Sequence, residues 1–361
     1  MDLETKLDLI KKVGEEIITE QELRELLESN DHPVAYDGFE PSGLAHIPFG
    51  IYRAINLKDL LEAGLQFKLL IADWHAWINN KMGGDLEKIR KVGEYFIEVW
   101  KAAGVDMNKI QVVWAQDLAN SAEYWRKVIL IAKNTTLNRA IRCLTIMGRT
   151  KAELREAAQL IYPMMQSADI FHLEADICQL GLDQRRANML AREVGPKLGW
   201  WKPIVVSHHM LMGLEGVRTA EGYDENQRID IQISSKMSKS KPSTSIYVHD
   251  DAEQVKQKIL TAFCPAKIVD GNPILDYCQY IILRKMKIFI IERPSKYGGD
   301  LEIHDFNDLA QLYRKGKIHP LDLKNATAQA LNIILDPVRA HFTSGKAKQL
   351  LDFVKNEKVT R

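Results

Sequence analysis

Charge of one sign is missing from this 361-residue chain: 49 Lys and Arg stand against 48 Asp and Glu, a net of +1. That balance argues against a polybasic coater of nucleic acid such as DNA, which needs a large cationic excess; it leaves room for a local basic face. Cysteine is scarce as well. Cys143, Cys178, Cys264 and Cys278 form no CxxC pair, which argues against a zinc ribbon, and so against a bound structural metal, and against a secreted disulfide scaffold. No apolar run approaches the ~20 residues that cross a bilayer. The opening MDLETKLDLIKKVGEEI is charged and helical in period, unlike a signal peptide. A cytoplasmic setting without a membrane partner is therefore expected. The 46% hydrophobic and 27% charged residues are ordinary for a globular protein, and the length suggests about two domains.

The first segment reads as helices, with Leu3, Leu7 and Ile10 on one face and Leu23, Leu26 and Leu27 on a second stripe. Asp31-His32-Pro33 breaks the pattern. A strand is predicted at Val34 to Gly38, then a loop, then a helix from about Ile47 to Gly50 onward, ended by Gly64. Phe67 to Ala72 and Ile110 to Ala115 read as buried parallel strands around a charged helix from Asp85 to Ala103. Strand alternating with helix is the pattern of a doubly wound parallel sheet. From Ser121 to Ser167 the period is helical, an insertion between two halves of that sheet; strands return near Ala175 to Leu180 and Pro203 to Ser207. Leu214 to Ser245 is polar and without period, so a mobile loop is expected. Beyond about 246 helical stripes dominate. The expected class is α/β: a Rossmann-like doubly wound sheet with a helical insertion, followed by a mainly α-helical C-terminal domain, with a boundary at 245/246.

Lys236-Met237-Ser238-Lys239-Ser240 lies in the polar loop. Two lysines and two hydroxyls on a mobile loop can close over a polyphosphate and neutralise charge that grows during displacement. A solvated basic loop is the plainer alternative. His46-Ile47-Pro48-Phe49-Gly50 sits where the first parallel strand gives way to a helix, and a helix N-terminus there offers free amides to phosphate.

Together the two elements resemble the paired signatures of class I aminoacyl-tRNA synthetases, His-Ile-Gly-His and Lys-Met-Ser-Lys-Ser. The second is complete here; the first carries Pro48 and Phe49 in its third and fourth places. Tyr36-Asp37-Gly38-Phe39-Glu40-Pro41-Ser42-Gly43 is similar to the opening of tyrosyl-tRNA synthetases of the archaeal and eukaryotic type. ADWHAWINNK (72–81), IYPMMQSAD (161–169), GLDQRR (181–186), AFCPA (262–266), RPSKYGGD (293–300) and HPLDLKNA (319–326) extend the likeness over nearly the whole chain.

The resemblance implies a ligase that activates tyrosine with ATP and Mg²⁺ and transfers it to the 3′ end of tRNA(Tyr). It implies that Tyr36 and Asp169 read the phenol of L-tyrosine, and that Tyr162, Gln166 and Gln184 hold its ammonium and orient it. Tyr162, Gln166 and Asp169 also share one helix face by spacing. His75 is placed on the pocket wall, with a structural role equally open. Gly38, Glu40, Phe49, Gly181 and Asp183 fall beside ATP, the last as a ribose acceptor, although Asp183 could instead pair with Arg185 or Arg186. His46, Lys236, Met237, Ser238, Lys239 and Ser240 form the catalytic set around the polyphosphate. His208 and His209 contribute there or are structural. Arg185 and Arg186 are expected at the tRNA acceptor stem; Tyr297, His319, Pro320 and Asp322 at the anticodon, where Asp322 could also cap a helix. The insertion suggests a homodimer. A tryptophanyl-tRNA synthetase and a non-catalytic RNA-binding paralogue are the alternatives; the Tyr36 and Asp169 pair favours tyrosine, and the intact lysine loop favours catalysis.

Overall fold

Six strands form one sheet in the order β1-β6-β5-β2-β3-β4: β1 Gly14–Ile18, β2 Val34–Phe39, β3 Gln66–Ile71, β4 Ile110–Trp114, β5 Ile177–Cys178 and β6 Ile204–His208. The computed structural model describes residues 1–149, 153, 155–239 and 241–357, and only the backbone of Tyr297. β2 to β6 run parallel and β1 pairs antiparallel with β6 along the edge. Phe67, Leu69, Leu70 and Ile71 of β3 are all buried, as expected of a strand covered on both faces. β2 lies between β3 and β5, so the chain leaves it on one side and returns on the other. That switch opens a crevice beyond the strands' carboxyl ends, where doubly wound sheets bind ligands.

The helix Leu86–Ala102 shows how local signals place the covering layer. Asp85 accepts from the amides of Glu87 and Lys88 at 3.0 and 3.1 Å and caps it, and Ile89, Val92, Phe96 and Val99 form its buried face. The insertion is helical as expected, with helices Ala122–Lys133, Leu137–Cys143 and Tyr162–His172.

Three elements depart from expectation. The first segment contains the strand β1 between two helices. The stretch taken as a loop from Leu214 to Ser245 holds a helix, Gln227–Ser235, capped by Asn226 and packed through Ile229 and Ile233 on Leu182. Beyond 246, helices Ala252–Thr261, Pro320–His341 and Gly345–Asn356 accompany a small antiparallel hairpin, β7 Phe289–Ile291 and β8 Leu301–Ile303.

The two signature segments are stitched together. Ile47 N donates to the Ile246 carbonyl at 2.9 Å and Val248 N to that of Ala45 at 3.0 Å, around a bridge between His46 and Tyr247. Gly50 permits this approach: a Cβ there would lie 2.6 Å from Val248 Cγ1.

Candidate functional site

A cavity of about 870 Å³ opens at the switch point and brings together the chemistry of both signatures, a size suited to a small-molecule ligand pair. Its buried half is built from β2 and three helices. Tyr36 of β2 and Asp169 of Tyr162–His172 are each 1% exposed. Tyr124, from Ala122–Lys133, donates to Asp169 Oδ1 at 2.8 Å. Asp169 Oδ2 lies 3.1 Å from Nε2 of His75, on the short helix Asp73–Ile78, out of hydrogen-bond alignment, and the Tyr36 hydroxyl has no protein partner. Buried polar atoms ordinarily find partners, so an orphaned phenol beside a half-satisfied carboxylate marks a ligand subsite.

Electrostatics keep these groups in defined states. Burial pushes the phenols of Tyr36, Tyr124 and Tyr162 well above their ordinary value, so they stay neutral donors. Burial pulls His75 down, but the Asp169 carboxylate overrides it and holds the imidazole above its usual range. His75 also packs edge-on against Tyr162, with centroids 4.9 Å apart. Next to this group, Gln166 Nε2 donates to Gln184 Oε1 at 3.1 Å, and the Tyr162 hydroxyl donates to Glu40 Oε1 at 2.8 Å. Glu40, expected beside the nucleotide, also accepts from Asn79 at 2.9 and 3.0 Å and thus reaches the amino-acid half.

The other half is made of turns and loops. Lys236 Nζ lies 2.5 Å from Asp183 Oδ2. The carboxylate therefore pairs with the signature lysine and with neither Arg185 nor Arg186. Burial would raise Asp183, yet Lys236 holds it below its normal value. Lys239 Nζ donates to Ser42 Oγ at 3.2 Å; burial, with repulsion from Lys81 and Arg53, lowers its pKa to about 7. His46 is held neutral, well below its usual pKa, by burial and the nearby Lys239, and its buried Nδ1 has no protein partner. Gly38, Phe49, Met237 and Ser238 line the same space. Gly181 sits behind Asp183: a Cβ there would fall 2.6 Å from Asp183 Oδ1. Ser240 lies outside the described residues.

His208 and His209 also line the cavity but are engaged elsewhere. His208 Nδ1 is 2.9 Å from Gln179 Nε2; His209 Nε2 is 2.8 Å from Asp276 and its ring stacks on Tyr280 at 4.1 Å. Among the residues expected to meet RNA, Arg185 pairs with Glu16 at 2.8 Å, while Arg186 donates to the Arg142 carbonyl at 2.6 Å and lies 3.5 Å from Asp224. Any RNA contact by either arginine must compete with these partners. His319 is the cap of Pro320–His341, accepting from Leu321 N at 3.1 Å, which corrects the expectation that Asp322 caps it; Asp322 stands in the first turn. The side chain of Tyr297 lies outside the described atoms.

Sequence reasoning missed Tyr124, Arg53 and Lys81. Arg53 lines the cavity and pairs with buried Asp37 at 3.0 Å; burial lifts Asp37 to about 6 against the pull of Arg53. Arg53 opens the helix Arg53–Glu62 just after the first signature, the one local signal that could have flagged it. Tyr124 is an aromatic on an amphipathic helix, and nothing local separates it from core.

The chain matches the model of the class I tRNA synthetases (W and Y) over residues 28–336. It is 47% identical over 364 residues to tyrosine–tRNA ligase 1, cytoplasmic, of Arabidopsis thaliana, covering 100% of this chain and 90% of that one. It is 48% identical to the tyrosine–tRNA ligase of Sulfurisphaera tokodaii, over 100% and 99% of the two chains. The crystal structure of the Pyrococcus horikoshii tyrosyl-tRNA synthetase complexed with L-tyrosine superposes with a TM-score of 0.89 at 39% identity, over 98% of this chain and 100% of that one.

Proposed function

The chain belongs to the class I tRNA synthetases of the tryptophan and tyrosine family, and on that premise we propose that it is a tyrosine–tRNA ligase working through the cavity at the switch of the sheet. The observation that carries the choice of amino acid is the buried pair of Tyr36 and Asp169. A substrate phenol donates to Asp169 Oδ2 and accepts from the Tyr36 hydroxyl. Phenylalanine leaves both groups unpaired, at about 1–3 kcal/mol each; rejection on this ground is the standard behaviour of tyrosine-specific synthetases. An indole has no phenol to satisfy the pair. Tyr162, Gln166 and Gln184 orient the ammonium, and His75 supports Asp169.

The tyrosine carboxylate then attacks the α-phosphorus of ATP, forming tyrosyl-adenylate and expelling pyrophosphate. The protein's contribution is position and charge. Asp183 accepts from the ribose hydroxyls, which displaces Lys236 toward the phosphates; Lys239 and neutral His46 assist. Mg²⁺ would come with ATP, held chiefly by its phosphates, and would shield their charge. In the second step a terminal ribose hydroxyl of the tRNA attacks the activated carbonyl and AMP leaves.

The region beyond about 246 reads the anticodon through Asp322, His319, Pro320 and Tyr297, and residues 1–245 form the catalytic domain. A homodimer through the insertion suits Ile129 and Leu137, which are 58% and 65% exposed there. A cytoplasmic setting follows the Arabidopsis relative; among the described residues no helix is long and apolar enough to cross a membrane. ATP–pyrophosphate exchange is the test. Tyrosine alone should support it; exchange driven by tryptophan, or by no amino acid at all, overturns the reading.

A further inference from the structure

The aromatic residue in the fourth place of the first signature touches the second signature's lysine. The Phe49 ring packs on Phe96 at 4.2 Å and on Phe39 at 4.7 Å, centroid to centroid, and the Phe49 carbonyl accepts from the Trp100 indole at 3.2 Å. The cluster is fixed: Phe49 is 5% and Phe96 1% exposed. Over it stands the Lys239 ammonium, 4.7 Å from the Phe96 centroid and 5.9 Å from that of Phe49. The other end of the residue is tied down too, because the Tyr247 hydroxyl donates to the Lys239 carbonyl at 3.1 Å. Among the described residues Lys239 forms no ion pair, whereas Lys236 rests on Asp183.

We propose that Phe49 and Phe96 are positioning residues, an aromatic seat that aims the Lys239 ammonium at the ATP phosphates. The proposal rests on the reading that Lys239 acts on the polyphosphate. A ring face attracts a cation by about 0.5–2 kcal/mol and carries no net charge. It orients the ammonium without neutralising it and does not compete with a phosphate as a carboxylate would. The seat also offsets a hostile setting. Lys81 and Arg53 repel the ammonium, Glu40 attracts it, and His46 beside it is neutral. Burial and the two neighbouring cations favour the uncharged amine; Glu40 and the ring faces favour the charged form.

Stepwise fluorination of Phe96 tests this on the full-length protein, since fluorine drains the negative ring face while keeping its shape. Tyrosine-dependent pyrophosphate exchange should fall progressively with fluorine number, about 2- to 30-fold at full fluorination. The tyrosine Kd should stay within about twofold, and the alkaline limb of the pH–rate profile should move to lower pH. Phe96→Leu, similar in hydrophobicity but lacking a ring, should match the fully fluorinated protein. Retained tyrosine binding certifies folding in each case; if the leucine variant does not fold, the fluorination series alone decides. A rate independent of fluorination, or a fall with the alkaline limb unmoved, overturns the seat. Lys239→Ala separates the two ideas: unchanged exchange in that variant overturns the lysine's role itself, while a slow Lys239→Ala beside indifferent Phe96 variants overturns only the seat.

Discussion

At the buried end of the cavity Tyr36, His75, Tyr124 and Asp169 stand on a strand and three helices, and each is oriented by packing before any ligand arrives. At the other end His46, Asp183, Lys236 and Lys239 stand on turns and loops, and the charged ones rest on partners within the protein: Lys236 on Asp183, Lys239 on Ser42 and the ring faces. The amino-acid end is thus preassembled, as recognition of one phenol requires. The nucleotide end is stored. On the function proposed, the Lys236–Asp183 pair and the Lys239–Ser42 bond exchange for contacts with ATP while the ring faces keep Lys239 in place, and partners that trade places need to be weakly tied or on mobile backbone.

The contrast can be broken by substitution. Asp169→Ala should do most, because it strips a partner from Tyr124 and from the substrate at once; tyrosine-dependent exchange should drop on the order of 10³-fold, with selectivity over phenylalanine collapsing alongside. If selectivity survives, the phenol is read elsewhere. Lys236→Ala comes next. Loss of one preorganised cation from a phosphoryl-transfer site costs about 10²-fold in rate, and calorimetric tyrosine affinity should hardly change. An equal loss of rate and of tyrosine binding would merge the two ends into one unit. Tyr36→Phe removes one hydroxyl and should lower kcat/KM for tyrosine about tenfold, with the ATP KM unmoved.

The smallest effect lies outside both ends and checks the scaffold they share. His249 sits between Tyr95 and Phe342, 5.6 and 4.7 Å from their rings, and burial, with Lys355 and Arg339 nearby, pushes it down to about 3. The folded pKa lies below the ordinary 6.5. The stability it contributes is therefore complete above 6.5 and drains as pH falls toward 3, by up to about 1.4 kcal/mol per pH unit. Denaturant titrations from pH 6.5 down to about 4 should show a shallower decline for His249→Phe; a parallel decline assigns the acid sensitivity to other groups, among them His46 and His208.

Much of this was legible in the sequence, for identifiable reasons. Tyr162, Gln166 and Asp169 announce one helix face through spacing, and β3 announces itself as an apolar run. What stayed hidden depends on partners far along the chain. β1, with the sequence GEEII, is short and half-polar, and it becomes a strand because β6 offers it an edge, register shift included. The helix Gln227–Ser235 carries only two apolar contacts at helical spacing within a polar stretch, and its alternating IDI looks as much like strand as helix. Tyr124 enters the site through tertiary packing alone. Conversely, Phe49 stands out in the sequence as a departure from the first signature, and the structure packs it into an aromatic cluster with Phe39 and Phe96.

The bridge between His46 and Tyr247 joins positions about two hundred residues apart. Closing so long a loop costs entropy that only finished packing repays. The two signature segments therefore take up their mutual geometry only once both ends of that loop are packed. The same stitch makes 45–50 and 236–248 a single unit of inheritance: exchanged between relatives, they must travel together.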